Sequence, residues 1–214
     1  LIDSAPLSVH VETHCDAALF LLCANPSITR HALERLIGAR PKSVFFEYNG
    51  ETPLHRLVEN PSLTVHMLRF LVDAHPGAAS QMEQYTGRYP LHRLCGNPAL
   101  DPEWLDVVLR ACPTAACKPI GTTFDKTDSG MYPIHRLCGN KSLQRDWALL
   151  LLNPLVDAFP GALSCRDCHN KLPIHYFLEQ ARERGEVLEA VDNNSFYYRD
   201  TMLAKLKRIT TLPL

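Results

Sequence analysis

Apolar residues fall three and four apart in three separate stretches: Leu33, Leu36 and Ile37; Leu68, Leu71 and Val72; Leu105, Val108 and Leu109. That period lays one apolar stripe along a helix, so each stretch predicts an amphipathic helix with a single buried face. Thr29, Thr64 and Asp101 stand just ahead with N-cap chemistry, and Asp101 is followed by Pro102 and Glu103. Pro41 and Pro76 mark where the first two helices stop, because the residue before a proline is pushed out of helical geometry.

A second, shorter pattern alternates with these helices. It reads Thr52-Pro-Leu-His-Arg-Leu-Val-Glu-Asn60, Tyr89-Pro-Leu-His-Arg-Leu-Cys-Gly-Asn97, Tyr132-Pro-Ile-His-Arg-Leu-Cys-Gly-Asn140 and Leu172-Pro-Ile-His-Tyr-Phe-Leu-Glu-Gln180, after a fainter copy at Ala17-Ala-Leu-Phe-Leu-Leu-Cys-Ala-Asn25. Pro53, Pro90, Pro133 and Pro173 are spaced by 37, 43 and 40 residues. Each suits the first position of a short helix, where a missing N–H costs nothing. Asn25, Asn60, Asn97 and Asn140 suit its end, where Asn tolerates a left-handed conformation. Gly50, Gly87 and Gly130 stand three residues before the proline, with Asn170 in the same slot, which predicts a tight turn at positive φ. A second proline (41, 76, 113 or 160) follows the asparagine by 16, 16, 16 and 20 residues, so the fourth unit carries four extra. Lys118 to Asp128 holds a further loop of about six residues, and stacked units tolerate such insertions in their connections.

One helix pair cannot bury its stripe alone, whereas stacked pairs can, so the expected fold is an all-α solenoid of about four helix-turn-helix repeats. Gly50-Glu-Thr-Pro-Leu-His55 resembles the ankyrin repeat signature, and the likeness covers roughly residues 15 to 180. The periods are longer and less even than the family's, and its Ala-Ala pair after the His is replaced by Leu57-Val58, Leu94-Cys95 and Leu137-Cys138. The chain is therefore similar to a divergent ankyrin-like array. The resemblance implies a non-catalytic protein-interaction module, with the recurring His bonded to backbone of the neighbouring loop. The expected organisation is an N-terminal extension over 1–14, an array over 15–180 and C-terminal capping helices over 181–214. The first residues carry neither an initiator Met nor a basic n-region, so the chain reads as a segment of something longer.

Charge and composition narrow the function. Twenty-two Lys and Arg against 23 Asp and Glu leave a net charge of −1, which argues against bulk binding to nucleic acid. No apolar run reaches membrane-spanning length. Eight cysteines are too sparse for a stapled secreted scaffold, and Cys23, Cys95 and Cys138 share one repeat slot, as a small buried position would. Reduced thiols and an intracellular compartment, cytoplasmic or nuclear, are expected, with the organelle left open. No phosphate-binding glycine motif or nucleophile elbow is present, so no enzyme activity and no cofactor are expected.

The candidate site residues follow from the repeat. His55, His92, His135 and His175 recur with the fold and read as structural. Arg56, Arg93 and Arg136, with Tyr176 next in line, either brace each unit or form a basic ladder for carboxylates of an acidic partner segment. Tyr48, Tyr85 and Phe124 sit at or near turn tips as contact candidates. Cys165-Arg-Asp-Cys-His169 matches a C-x-x-C-H haem motif without an evident cavity or axial Met. Cys165 and Cys168 could instead join Cys117 in a zinc- or redox-linked site. The expected partner is a protein, and a structural role inside a multi-subunit complex is the remaining alternative.

Overall fold

The computed structural model describes residues 17–121, 128–142 and 145–183, and their regular elements are helices joined by turns, with one isolated β-bridge between Tyr48 and Glu51. Helix α1 spans 17–24 and α2 spans Arg30–Ala39. Then come α3 (Pro53–Leu57), α4 (Val65–Ala74), α5 (Pro90–Gly96), α6 (Pro102–Ala111), α7 (Pro133–Cys138), α8 (Arg145–Ala158) and α9 (Pro173–Glu183). Helix α9 runs past residue 180, and the rest of the expected cap lies outside the described residues, as does the expected 1–14 extension. No helix among the described residues is long and apolar enough to cross a membrane.

The helices form two rows. Short helices pack in the order α3 on α5, α5 on α7 and α7 on α9, while α2, α4, α6 and α8 pack in a parallel succession. Leu33, Leu68 and Leu105, one from each predicted stripe, are fully buried in one continuous core. Each such side chain contributes roughly 2 kcal/mol by leaving water. Thr29, Thr64 and Asp101 cap their helices as expected, accepting from Ala32 N at 3.2 Å, Met67 N at 3.3 Å and Glu103 N at 2.7 Å.

A third element per unit was not predicted. Pro41–Phe45, Pro76–Ser80, Pro113–Cys117 and Pro160–Ser164 are 3-10 turns. Arg40, His75, Cys112 and Phe159, each preceding the proline, take φ between −142 and −148 with ψ between 76 and 85. The pyrrolidine ring forces that residue out of the α region, and the chain re-enters as a tighter helix around the proline. The four extra residues of the last unit also depart from expectation. They lie within α8, which has 14 residues where α4 and α6 have 10, rather than in a connection. Four residues add about one helical turn, so the stripe keeps its phase and Leu151, Leu152, Leu155 and Val156 stay buried.

The repeat asparagines correct a second expectation. Asn97 has φ −67 and ψ 125, and the described non-glycine residues at positive φ are Asn49 and Asn170, both at turn tips. The stop is made by the side chain. Asn60 Nδ2 donates to Cys23 O and Asn25 O, Asn97 Nδ2 to Val58 O, and Asn140 Nδ2 to Cys95 O and Asn97 O, at 2.7 to 3.1 Å. Each amide thus satisfies helix-end carbonyls of the preceding unit. The glycines do match their prediction, with Gly50, Gly87 and Gly130 at φ 76, 67 and 75. A Cβ on Gly87 would sit 2.6 Å from Gly121 N, so both the turn and the close tip-to-tip approach require glycine.

Candidate interaction surface

The recurring histidines join local and neighbouring structure. Nδ1 accepts the backbone N–H of the residue before the proline: Thr52 to His55 at 3.1 Å, Tyr89 to His92 at 3.2 Å, Tyr132 to His135 at 3.2 Å and Leu172 to His175 at 2.8 Å. With Nδ1 accepting, Nε2 carries the proton. His92 Nε2 donates onward to Met131 O of the next tip at 3.2 Å. Burial lowers the pKa of His55 to about 4 and of His92 to about 3, and also lowers that of His135. His92 is thus bound to backbone at both ends, whereas the buried Nε2 atoms of His55 and His135 have no hydrogen-bond partner among the described residues.

Each turn tip closes on a backbone pair: Tyr48 with Glu51, Glu83 with Arg88, Ile120 with Met131, Asp167 with Lys171. Adjacent tips are also tied by backbone, as in Gln84 N to Asn49 O at 2.9 Å and Cys168 N to Ser129 O at 3.0 Å. The side chain after each repeat His clasps an acid at such a tip. Arg56 bonds Glu51 at 2.9 Å and lies 4.9 Å over the Phe20 ring. Arg93 meets Glu51 at 2.9 Å, Glu59 at 2.6 Å and Glu83. Arg136 meets Asp128 at 3.1 Å, and the Tyr176 hydroxyl donates to Asp167. The ladder therefore has internal carboxylates on every rung.

The rungs differ in balance. Two guanidiniums, Arg56 and Arg93, share three carboxylates, and the Arg93 side chain is 11% exposed. Burial acts to raise the Glu83 pKa, but hydrogen bonds from Arg93 and Thr86 outweigh it and hold the carboxyl below its usual range. Burial raises Glu51 despite Arg93 and Arg56 beside it. One unit further, Asp128 alone receives both Arg88 and Arg136. At the last tip burial works against ionisation of Asp167, and bonds from Tyr176, Lys171 N and His169 N overcome it. None of these acids was a sequence candidate. Glu83 and Asp167 both stand seven residues after the proline of the preceding 3-10 turn, but Tyr48 and Ile120 fill that slot in the other two units, and Glu51 and Asp128 lie elsewhere in tips of unequal length.

Of the aromatic candidates, Tyr48 and Tyr85 are 61% and 51% exposed, and Phe124 lies outside the described residues. Phe45 and Met82, absent from the sequence reading and each three residues before one of these tyrosines, are 62% and 43% exposed. The Phe45 ring rests on His75 with centroids 4.6 Å apart. Tyr132 packs instead on His135 and Phe159.

Cys23, Cys95 and Cys138 occupy the expected buried slot, where burial raises their thiol pKa, to about 12 for the first two. Cys117 Sγ donates to Thr114 O at 3.0 Å and Cys165 Sγ to Gly161 O at 3.4 Å, while Cys168 is exposed. Among the described residues no group of three or more His, Cys, Asp or Glu side chains is placed to hold a metal ion. No protein-family model matches the chain, and no curated protein matches it.

Proposed function

We propose that the chain is a non-catalytic protein-interaction module, built as an ankyrin-like solenoid, that docks a protein partner along its row of turn tips. The observation that carries this reading is the exposure of Tyr48 and Tyr85 on consecutive tips joined backbone to backbone, with Phe45 and Met82, each three residues earlier in the chain, exposed as well. Large exposed side chains on a stiff backbone lose little entropy on binding, and Tyr is a common interface anchor. The two rows of helices and the neighbour-to-neighbour Asn and His bonds favour the solenoid reading. They hold the tips at fixed spacing, which lets one partner touch several of them.

The test is cross-linking mass spectrometry on complexes captured from source cells, comparing the native chain with a Tyr48→Ala, Tyr85→Ala double variant. Exposed substitutions shift stability by no more than about 0.5 kcal/mol each, so the variant keeps its fold. The expected result is one recurring protein cross-linked near Lys42 and Lys118 and lost in the variant. Cross-links spread over both faces to several neighbours, unchanged by the variant, favour a structural subunit and defeat the module.

A further inference from the structure

The acid-to-base balance differs along the inner face, and the difference selects one rung as a ligand site. Around Arg56 and Arg93, carboxylates outnumber guanidiniums. Around Arg88 and Arg136, a single Asp128 oxygen serves both cations among the described residues. The Nε atoms of Arg88, Arg136 and Arg56 have no hydrogen-bond acceptor there, but Arg56 Nε has a Glu51 carboxylate oxygen 2.9 Å away. A guanidinium offers five donors in a planar fork, so among the described residues this rung is short of acceptors.

The same Arg136 lines an open cavity of about 550 Å³ between the third and last short helices, with Asp128, Met131, Pro98, Lys141 and Tyr176 around it. Its side chain is 30% exposed, against 11% for Arg93, while Arg56, at 38%, is covered on one face by the Phe20 ring. Lys141 points the same sign of charge into the cavity and is held by an exposed pair with Glu183, the kind of contact that water screens. The other lining acid, Glu179, is bonded to Lys171.

We infer that this cavity binds a carboxylate of an acidic segment on the protein partner, with Arg136 as its anchor and Asp128 as an internal stand-in that the incoming carboxylate joins or displaces. The site deepens the interaction-module reading and rests on it. Asp128 ends the inserted loop, so the stand-in sits on the one tip whose length departs most from the others. Arg56 and Arg93, already answered by carboxylates in excess, take no part.

The experiment is fluorescence anisotropy of a labelled hexaglutamate peptide on the full chain at low salt. The chain binds the peptide. Arg136→Gln weakens binding by at least about tenfold, the worth of a charge-assisted hydrogen bond. Asp128→Asn tightens it about fivefold by removing the competing carboxylate. Arg69→Gln, on the exposed outer row, leaves it unchanged, and circular dichroism confirms that each variant is folded. The opposite signs at positions 128 and 136 separate a site from a folding defect or diffuse charge. Absence of binding by both the native chain and Asp128→Asn overturns the inference, as does equal weakening by Arg136→Gln and Arg69→Gln. An oligouridylate that binds in place of the peptide also overturns it, because phosphodiester recognition is then what the rung performs. If hexaglutamate fails while partner capture still needs Tyr48 and Tyr85, the acidic-ligand inference falls and the module stands. If no partner is captured at either tip, the module falls with it.

Discussion

His92 connects three parts of the chain through one ring: its own helix start, the preceding tyrosine and the next tip. His92→Ala leaves the Tyr89 N–H without its acceptor and takes one of two donors from the Met131 carbonyl, which keeps Ile120 N at 2.7 Å. One unpaired buried donor costs about 1–3 kcal/mol, so the expected loss is about 2 kcal/mol in urea unfolding, against less than about 0.5 for exposed His31→Ala. The same histidines set a pH dependence. Burial holds His55 and His92 at about 4 and about 3 in the folded chain, below the roughly 6.5 of an unfolded histidine. The unfolded chain therefore binds more protons between these values. Stability is full above about pH 6.5 and falls as the pH drops towards about 4, with a slope approaching about 1.4 kcal/mol per unit for each histidine. Urea titrations from pH 7 to pH 5 measure the slope, and a flat response there refutes the neutral, backbone-bound assignment.

Helices and turns were legible to different degrees, for reasons that particular positions make clear. The stripes at Leu33, Leu68 and Leu105 and the caps at Thr29, Thr64 and Asp101 depend on neighbours within one turn, so local pattern sufficed. The Asn slot was located but its mechanism was misread. A left-handed stop is a local device, whereas Asn97 bonds Val58 O, 39 residues away. The glycine turns were local again, and they give an opposed pair of substitutions. Gly87→Ala places a Cβ at φ 67 and 2.6 Å from Gly121 N, and a loss of about 2 kcal/mol or more is expected. Gly38→Ala, with nothing within 4 Å of its Cβ in α2, gains about 0.5–1 kcal/mol. Thermal melts of the two variants should move in opposite directions.

Across the assembled stack, each unit is stabilised chiefly by its neighbours. Helices α5 and α6 have partners on both sides: α5 lies between α3 and α7, and α6 between α4 and α8. Protection against amide exchange should therefore peak in α5 and α6 and fall towards α1, as expected for nearest-neighbour cooperativity. Hydrogen-exchange mass spectrometry showing α1 as protected as α6 contradicts that picture. The tips behave as an assembly property in the same way. Tyr48 and Tyr85 lie on one row because consecutive tips are stitched backbone to backbone, and the acids under them neutralise the Arg slot from the chain's own side.

Repeat length, helix pairing, the buried Cys slot and the glycine turns were all carried by the order of residues, because each depends on contacts within a few positions or on a period that repetition amplifies. The choice between brace and basic ladder for the arginines was not. It depends on which carboxylates fold back onto each guanidinium, and those acids recur irregularly: Glu83 and Asp167 share a slot that Tyr48 and Ile120 fill elsewhere, while Glu51 and Asp128 have no acidic counterpart in the other units. Folding brings three acids to Arg56 and Arg93 and one to Arg88 and Arg136, so chemically equal rungs become electrostatically different. Sequence spacing sets how often a group recurs, while its charge balance depends on distances in space, which here are fixed when the tips stack.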